Sequence, residues 1–342
     1  MWPRGSTHDT ESVAVTPEFA LINRHFDRPA KRALLGVGDD CALFMPAAGQ
    51  ALALSTDTLV SGVHFFANVE AATLGHKALA VNLSDLAAMG AAPRCFTLAL
   101  TLPQIDDAWL ASFASGMFDL AAQHEIDLVG GDTTRGPLSI NITVLGEVDP
   151  AAALRRDAAR PGDDIWVSGD LGGASLALQL VRQRRIFGGI TDTVMPTLIE
   201  KLERPQPRLA LGQALLGIAH AAIDLSDGLV ADLGHIAQRS GLRATIRWND
   251  IPKHAALEAE TLEMQQQCVL TGGDDYELCF SVPASCRQVV VDLAARLALP
   301  LSCIGSLAVG APAVDVIDAA GRVIDVPRSG FDHFSENAQE AR

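Results

Sequence analysis

A chain of 342 residues, 49% of them hydrophobic, has the length for two domains and the apolar material for two cores. Its formal net charge of −15 excludes an extended nucleic-acid-binding face, which needs basic residues. The richest apolar run, 209–223, is broken by Gly212, Gln213, Gly217 and His220, short of the ~20 apolar residues of a membrane span.

Residues 1–6 lack the apolar stretch of a signal peptide, so a cytoplasmic protein is expected. Six cysteines form no C-x-x-C pair and several sit in apolar runs, which reads as small buried hydrophobes rather than disulfides or zinc ligands. Pro17-Glu18-Phe19-Ala20-Leu21-Ile22 starts a short amphipathic helix closing an N-terminal extension, 1–30. Strands are expected at 52–55, 95–102, 126–129 and 138–144, the last alternating with period two, and helices at 75–88 and 108–124. These give an α/β unit over 31–150.

Residues 149–161 read as a connector into a second unit, 151–334. It opens with a strand at 165–167 and a helix from 174 to 181. Proline breaks at Pro196, Pro205 and Pro207 lead to a strand at 222–223. Leu229, Leu233 and Ile236 share one helical face, with Gly241 as its C-cap. A strand at 276–282, a helix over 285–297 and a hairpin turning at Asp318-Ala319-Ala320-Gly321 follow. Residues 335–342 form a tail.

Aspartates punctuate this framework. Gly38-Asp39-Asp40 closes an apolar run, where a turn is the ordinary explanation. Ser55-Thr56-Asp57-Thr58 sets hydroxyls beside a carboxylate at the end of a strand, suiting either Mg²⁺ or a local cap. Asp85 lies inside an Ala- and Leu-rich helix with Asn82 and Ser84, three polar groups on a segment that could be wholly apolar. Gly130-Gly131-Asp132 follows a strand, where backbone can approach a phosphate. Asp224-Leu225-Ser226-Asp227-Gly228 precedes an amphipathic helix and holds three candidate caps where one is needed. It echoes Asn82-Leu83-Ser84-Asp85 of the first half. Gly272-Gly273-Asp274-Asp275 repeats the Gly-Gly-Asp pattern, and no Gly-Lys-Ser or Gly-Lys-Thr P-loop occurs. His64, in Gly62-Val63-His64-Phe65, fits a base, a phosphate donor or a core histidine. Hard oxygen donors in an acidic chain point to a magnesium-dependent nucleotide enzyme.

Six ordered motifs carry a resemblance: Gly36-Val37-Gly38-Asp39-Asp40, Ser55-Thr56-Asp57-Thr58-Leu59-Val60-Ser61-Gly62-Val63-His64-Phe65, Asn82-Leu83-Ser84-Asp85-Leu86-Ala87-Ala88-Met89-Gly90-Ala91, Gly130-Gly131-Asp132-Thr133, Asp224-Leu225-Ser226-Asp227-Gly228-Leu229 and Gly272-Gly273-Asp274-Asp275-Tyr276-Glu277-Leu278. Together they resemble the thiamine-monophosphate kinases of the aminoimidazole-ribonucleotide synthetase-like superfamily. The resemblance implies a two-domain PurM-like architecture, an α/β N-terminal domain with a dimer-forming sheet and an α+β C-terminal domain. It implies a homodimer that uses ATP to convert thiamine monophosphate to thiamine diphosphate, the last step of that cofactor's biosynthesis. Asp39, Ser55, Thr56, Asp57, Asp85, Asp132, Asp224 and Asp227 would hold several Mg²⁺ ions. Gly131, Asp132, Arg156 and Ser226 would contact ATP, and His64, Asp274 and Phe331 the acceptor. The chain departs from the family pattern in carrying Asp274 where Glu is usual, and in Gly169-Asp170-Leu171-Gly172-Gly173.

A phosphate monoester with a second pKa of ~6 is mostly dianionic at neutral pH and needs no strong base. Catalysis by Asp57, Asp85, Asp132 and Asp227 through bound Mg²⁺, with direct in-line transfer, is therefore expected. Two alternatives stay open on the sequence: a sister enzyme of the superfamily with another acceptor, and a non-catalytic Mg-ATP sensor.

Overall fold

The computed structural model describes residues 16–182 and 194–326. Its first half runs α1 (Pro17–His25), β1 (Ala51–Val60), α2 (Ala71–Ala88), β2 (Ala92–Leu102), α3 (Asp107–Gln123), β3 (Asp127–Arg135) and β4 (Ser139–Val148). The four strands form one sheet in the order β1-β4-β2-β3, antiparallel except for the parallel β2/β3 pair. Helix α2 starts a turn before the expected residue 75. Its cap is Glu70, whose carboxylate accepts the Ala72 and Thr73 N–H groups, a role for which Ser, Thr, Asp or Asn is the usual signal.

Two strands run through segments that read as turns. β1 continues past Ser55 to Val60, so Asp57 sits mid-strand opposite Ile142 rather than where the chain leaves the sheet. β3 continues through Gly130-Gly131-Asp132, which pairs with Thr97, Leu98 and Ala99. Gly131 is required there because a Cβ would overlap the Leu98 carbonyl oxygen. Alternation along β1 turns Ser55 and Asp57 toward α2 and leaves Leu52, Leu54, Thr56 and Thr58 exposed on the other face.

The second half contains β5 (Asp163–Ser168), α4 (Gly173–Arg182), α5 (Met195–Glu203), α6 (Leu209–Ala214), β6 (Ala221–Asp224), α7 (Leu229–Ser240), β7 (Leu242–Arg247), α8 (Leu262–Gln266), β8 (Leu278–Pro283), α9 (Arg287–Leu297), β9 (Leu301–Val309), β10 (Ala313–Ile317) and β11 (Val323–Ile324). Seven strands form a mixed sheet, β11-β10-β7-β9-β5-β8-β6. The mixed α/β and α+β architecture agrees with expectation, as do the left-handed Gly241 cap of α7 and the β10/β11 hairpin around 318–321. β7 and β9 had no counterpart among the expected strands.

Alternation divides the core. Trp166, Leu278, Phe280 and Val282 belong to one cluster with residues of α2 and α3, while Ile165, Val167, Leu233 and Ile236 belong to a second. All six cysteines are free; Cys95, Cys268 and Cys279 are buried, but Cys41 is exposed. No helix among the described residues is long and apolar enough to cross a membrane.

Candidate active site

One face of α2 presents Lys77, Val81 and Asp85 at i, i+4 and i+8 to a cleft of about 690 Å³ between the two halves. Asp57 and His64 line it from β1 and the loop beyond. Asp224, Ser226 and Asp227 line it from the turn after β6, and Gly273, Asp274 and Tyr276 from the loop before β8.

Short polar links hold the carboxylates. Ser55 Oγ donates to Asp85, Asn82 Oδ1 accepts the Asp57 N–H at 3.2 Å, and Ser84 Oγ donates to Asp224 at 2.8 Å. The Thr56 hydroxyl meets that of Thr143. Buried Asp232, which the sequence reading did not single out, accepts the N–H groups of Asp227 and Gly228 at 3.1 Å each. Placed in the first turn of α7, it fixes the turn that carries Ser226 and Asp227.

The two loops are clamped backbone to backbone. Asp274 N–H donates to Ser226 O at 2.9 Å and Tyr276 N–H to Leu225 O at 2.8 Å. Only glycine fits at Gly273, because a Cβ would overlap the Ser226 carbonyl oxygen. Asp274 and Tyr276 take left-handed φ values of +69° and +49°, a strained choice for side-chain-bearing residues. Asp275 turns away from the cleft. Its carboxylate accepts the Gly172 N–H at 3.0 Å and burial holds its pKa well above the usual range.

The acid groups oppose one another. Burial, then repulsion from Asp85, pushes Asp57 up to about 6. Burial followed by repulsion from Asp85 and Asp232 pushes Asp224 up to about 8, and burial followed by Asp227 pushes Asp232 up to about 7. Asp85 is raised by burial, against the Ser55 hydrogen bond and the Arg156 charge. Repelling carboxylates surrounded by hydroxyls offer hard oxygen donors, the chemistry that a divalent ion such as Mg²⁺ takes. Among the described residues, no three His, Cys, Asp or Glu side chains stand close enough to hold an ion unaided.

Arg156 lies in a second cleft of about 540 Å³, with Arg155, His235 and Arg239; Ser55 and Asp85 belong to its lining as well. Three expected participants, Asp39, Gly131 and Asp132, stand apart. Asp39 sits on an exposed loop, accepting the Asp40 N–H at 2.8 Å, and lines neither cleft. Gly131 and Asp132 are exposed on β3, three strands from β1 and so about 14 Å across the sheet. Phe331 lies outside the described residues. Within one chain, then, Asp57, Asp85, Asp224 and Asp227 come together and Asp39 and Asp132 do not join them. His64 lines the cleft with Nδ1 accepting the Val60 N–H at 2.9 Å, which puts the proton of the neutral ring on Nε2.

Residues 38–148 match the N-terminal domain of the AIR synthase related proteins, and residues 160–314 match their C-terminal domain. Together the two matches span most of the chain, which belongs to this class of proteins. Within it, the chain belongs to the thiamine-monophosphate kinase family. It is 45% identical over 322 residues to the thiamine-monophosphate kinase of Escherichia coli, covering 93% of this chain and 98% of the relative. The crystal structure of thiamine-monophosphate kinase from Stenotrophomonas maltophilia is 49% identical with a TM-score of 0.81, covering 88% of this chain and 96% of that one. AaThiL complexed with AMPPCP and TMP is 29% identical with a TM-score of 0.72, at 85% and 89% coverage.

Proposed function

We propose that this chain is an enzyme that transfers the γ-phosphoryl group of ATP to thiamine monophosphate, releasing thiamine diphosphate and ADP, as a cytoplasmic homodimer. The observation that carries this reading is the meeting of Asp57, Asp85, Asp224 and Asp227 with Asp274 on one cleft, in a chain whose relatives carry the kinase name. The nucleotide unit would span 31–150 and the second unit 151–334.

Mg²⁺ bound at Asp57, Asp85, Asp224 and Asp227 would neutralise phosphate charge as two anions approach. The chain's own share is placement. Ser55 and Ser84 orient the Asp85 and Asp224 carboxylates and Asn82 fixes the Asp57 main chain; Ser226 and Arg156 would hold phosphates, and His64 and Asp274 would flank the acceptor's space. A dianionic acceptor needs no proton removed, and direct in-line transfer follows. Phe331 would stack on the thiazolium ring.

Strand order supports the dimer. β1 and β3 are opposite edges of one sheet, so a two-fold that joins two such sheets can set β3 of one copy, with its Asp132, beside the β1 edge of the other. Leu52 and Leu54, 46% and 67% exposed on β1, favour such packing.

The test is ADP and thiamine diphosphate formation from ATP, with and without thiamine monophosphate and EDTA. Stoichiometric product abolished by EDTA is expected. ATP binding without product would contradict the kinase reading.

A further inference from the structure

Lys77 is 1% exposed and is one of the residues that line the cleft. A lysine is buried this far only where its charge is used. One of its three N–H donors goes to the Leu202 carbonyl at 2.8 Å. Asp274 Oδ1 stands 3.6 Å away, close enough to balance the charge but too far to take a hydrogen bond. The pair is therefore neutral in sum yet leaves the ammonium with donor capacity beside a carboxylate that lines the cleft.

The surroundings say what that capacity suits. Asp57, Asp85 and Asp227 share this cleft, and carboxylates alone would draw in a cation and repel its phosphate ester. Of the Lys and Arg side chains lining the cleft, Arg182 is exposed at the end of α4 while Lys77 is buried, one helical turn from Val81 and two from Asp85. A molecule carrying a fixed cation and a phosphate is a zwitterion, and Lys77 with Asp274 is its complement.

Resting on the kinase reading above, we propose that Lys77 binds the phosphate of the acceptor while Asp274 faces its cationic ring, so that the pair selects the phosphorylated vitamin over the free one. Loss of a charge-assisted hydrogen bond to phosphate lowers affinity about 10- to 100-fold.

The experiment is calorimetric titration of the full chain with thiamine monophosphate and with thiamine, in Mg²⁺ without nucleotide. Wild type should prefer the monophosphate. Lys77→Met should lose about 10- to 100-fold for the monophosphate while holding or gaining affinity for thiamine, collapsing the preference. Lys77→Gln, which keeps a donor for the Leu202 carbonyl, carries the same expectation, and Lys77→Arg should restore part of the preference. Asp274→Asn should weaken both ligands and leave the preference standing. A preference that survives Lys77→Met and Lys77→Gln, or an equal loss for both ligands, overturns the assignment. A wild-type chain that binds neither ligand overturns the kinase reading, and this inference with it.

Discussion

Ser84 Oγ donates to Asp224 Oδ2 at 2.8 Å in a buried contact, and the two residues belong to segments that read alike, Asn82-Leu83-Ser84-Asp85 on α2 and Asp224-Leu225-Ser226-Asp227 after β6. The hydrogen bond ties the acidic helix of one half to the acidic turn of the other. Ser84→Ala should destabilise the fold by about 1–3 kcal/mol, the cost of leaving a buried polar partner unmatched. In a double-mutant cycle with Asp224→Asn, read by urea denaturation, a coupling of about 1 kcal/mol is expected. Additive effects would show that the contact links the halves only in geometry.

Asp85 is the carboxylate common to both clefts. Asp85→Asn should lower turnover by about 10²-fold or more while the melting temperature holds or rises, because a half-buried charge repelled by Asp57 and Asp224 has been removed. Chromatographic product analysis beside a thermal melt checks both halves of the statement. Near-normal turnover would remove Asp85 from the catalytic set.

Gly273→Ala pushes a methyl group into the Ser226 carbonyl oxygen. The clamp between the two loops must open, at about 1–3 kcal/mol for overpacking, and activity should fall with it. Equilibrium denaturation and steady-state rates measure the pair of effects; an active variant of unchanged stability would mean the clamp yields freely.

The carboxylates also set a pH dependence. Asp57, Asp224 and Asp232 hold protons up to about pH 6, 8 and 7 in the folded chain, against an ordinary value of 3.8. Through these three groups the folded state binds more protons than the unfolded one between about pH 4 and 8, so their contribution to stability falls as pH rises through that window, while His76, His124 and His254, held below the ordinary value by burial, act in the opposite sense. Asp224→Asn should therefore gain melting temperature over wild type as pH is raised from 5 to 8 in EDTA, and Mg²⁺ should shrink the gap. A difference that is flat with pH would show that Asp224 is not strained by its neighbours.

If Asp132 acts across a two-fold, two inactive variants should rescue each other. In a refolded equimolar mixture of Asp85→Asn and Asp132→Asn, half the dimers are mixed and each mixed dimer keeps one intact site, giving about a quarter of wild-type activity. No recovery, with dimers verified by sedimentation, would place Asp132 outside the partner's site.

Much of the site was legible because its residues break local rules. Asp85, Asn82 and Ser84 interrupt an apolar helix, and Asp224, Ser226 and Asp227 outnumber what a helix cap requires. Lys77 broke no such rule. On the sequence it is an ordinary solvated helix charge, and its burial depends on a carbonyl 125 residues away. Asp232 likewise reads as an acid complementing the α7 dipole, and only the folded chain shows it gripping the turn behind it. Ser55-Thr56-Asp57-Thr58 and Gly130-Gly131-Asp132 carry turn-like composition, but ladder partners on β4 and β2 keep them extended. Strand order, which separates Asp132 from Asp57, has no local signal at all.

The core beneath α2 has one further consequence. Leu278, Phe280 and Val282 of β8, with Leu209 and Leu211 of α6, belong to the same apolar cluster as Leu79, Leu83 and Phe113 of the first half. Neither half closes its own hydrophobic surface. A chain divided near residue 150 would yield two fragments that aggregate apart and refold only together, and the intact protein should melt in a single transition. Two family domains meet on this shared cluster, and a single folding unit is the expected result.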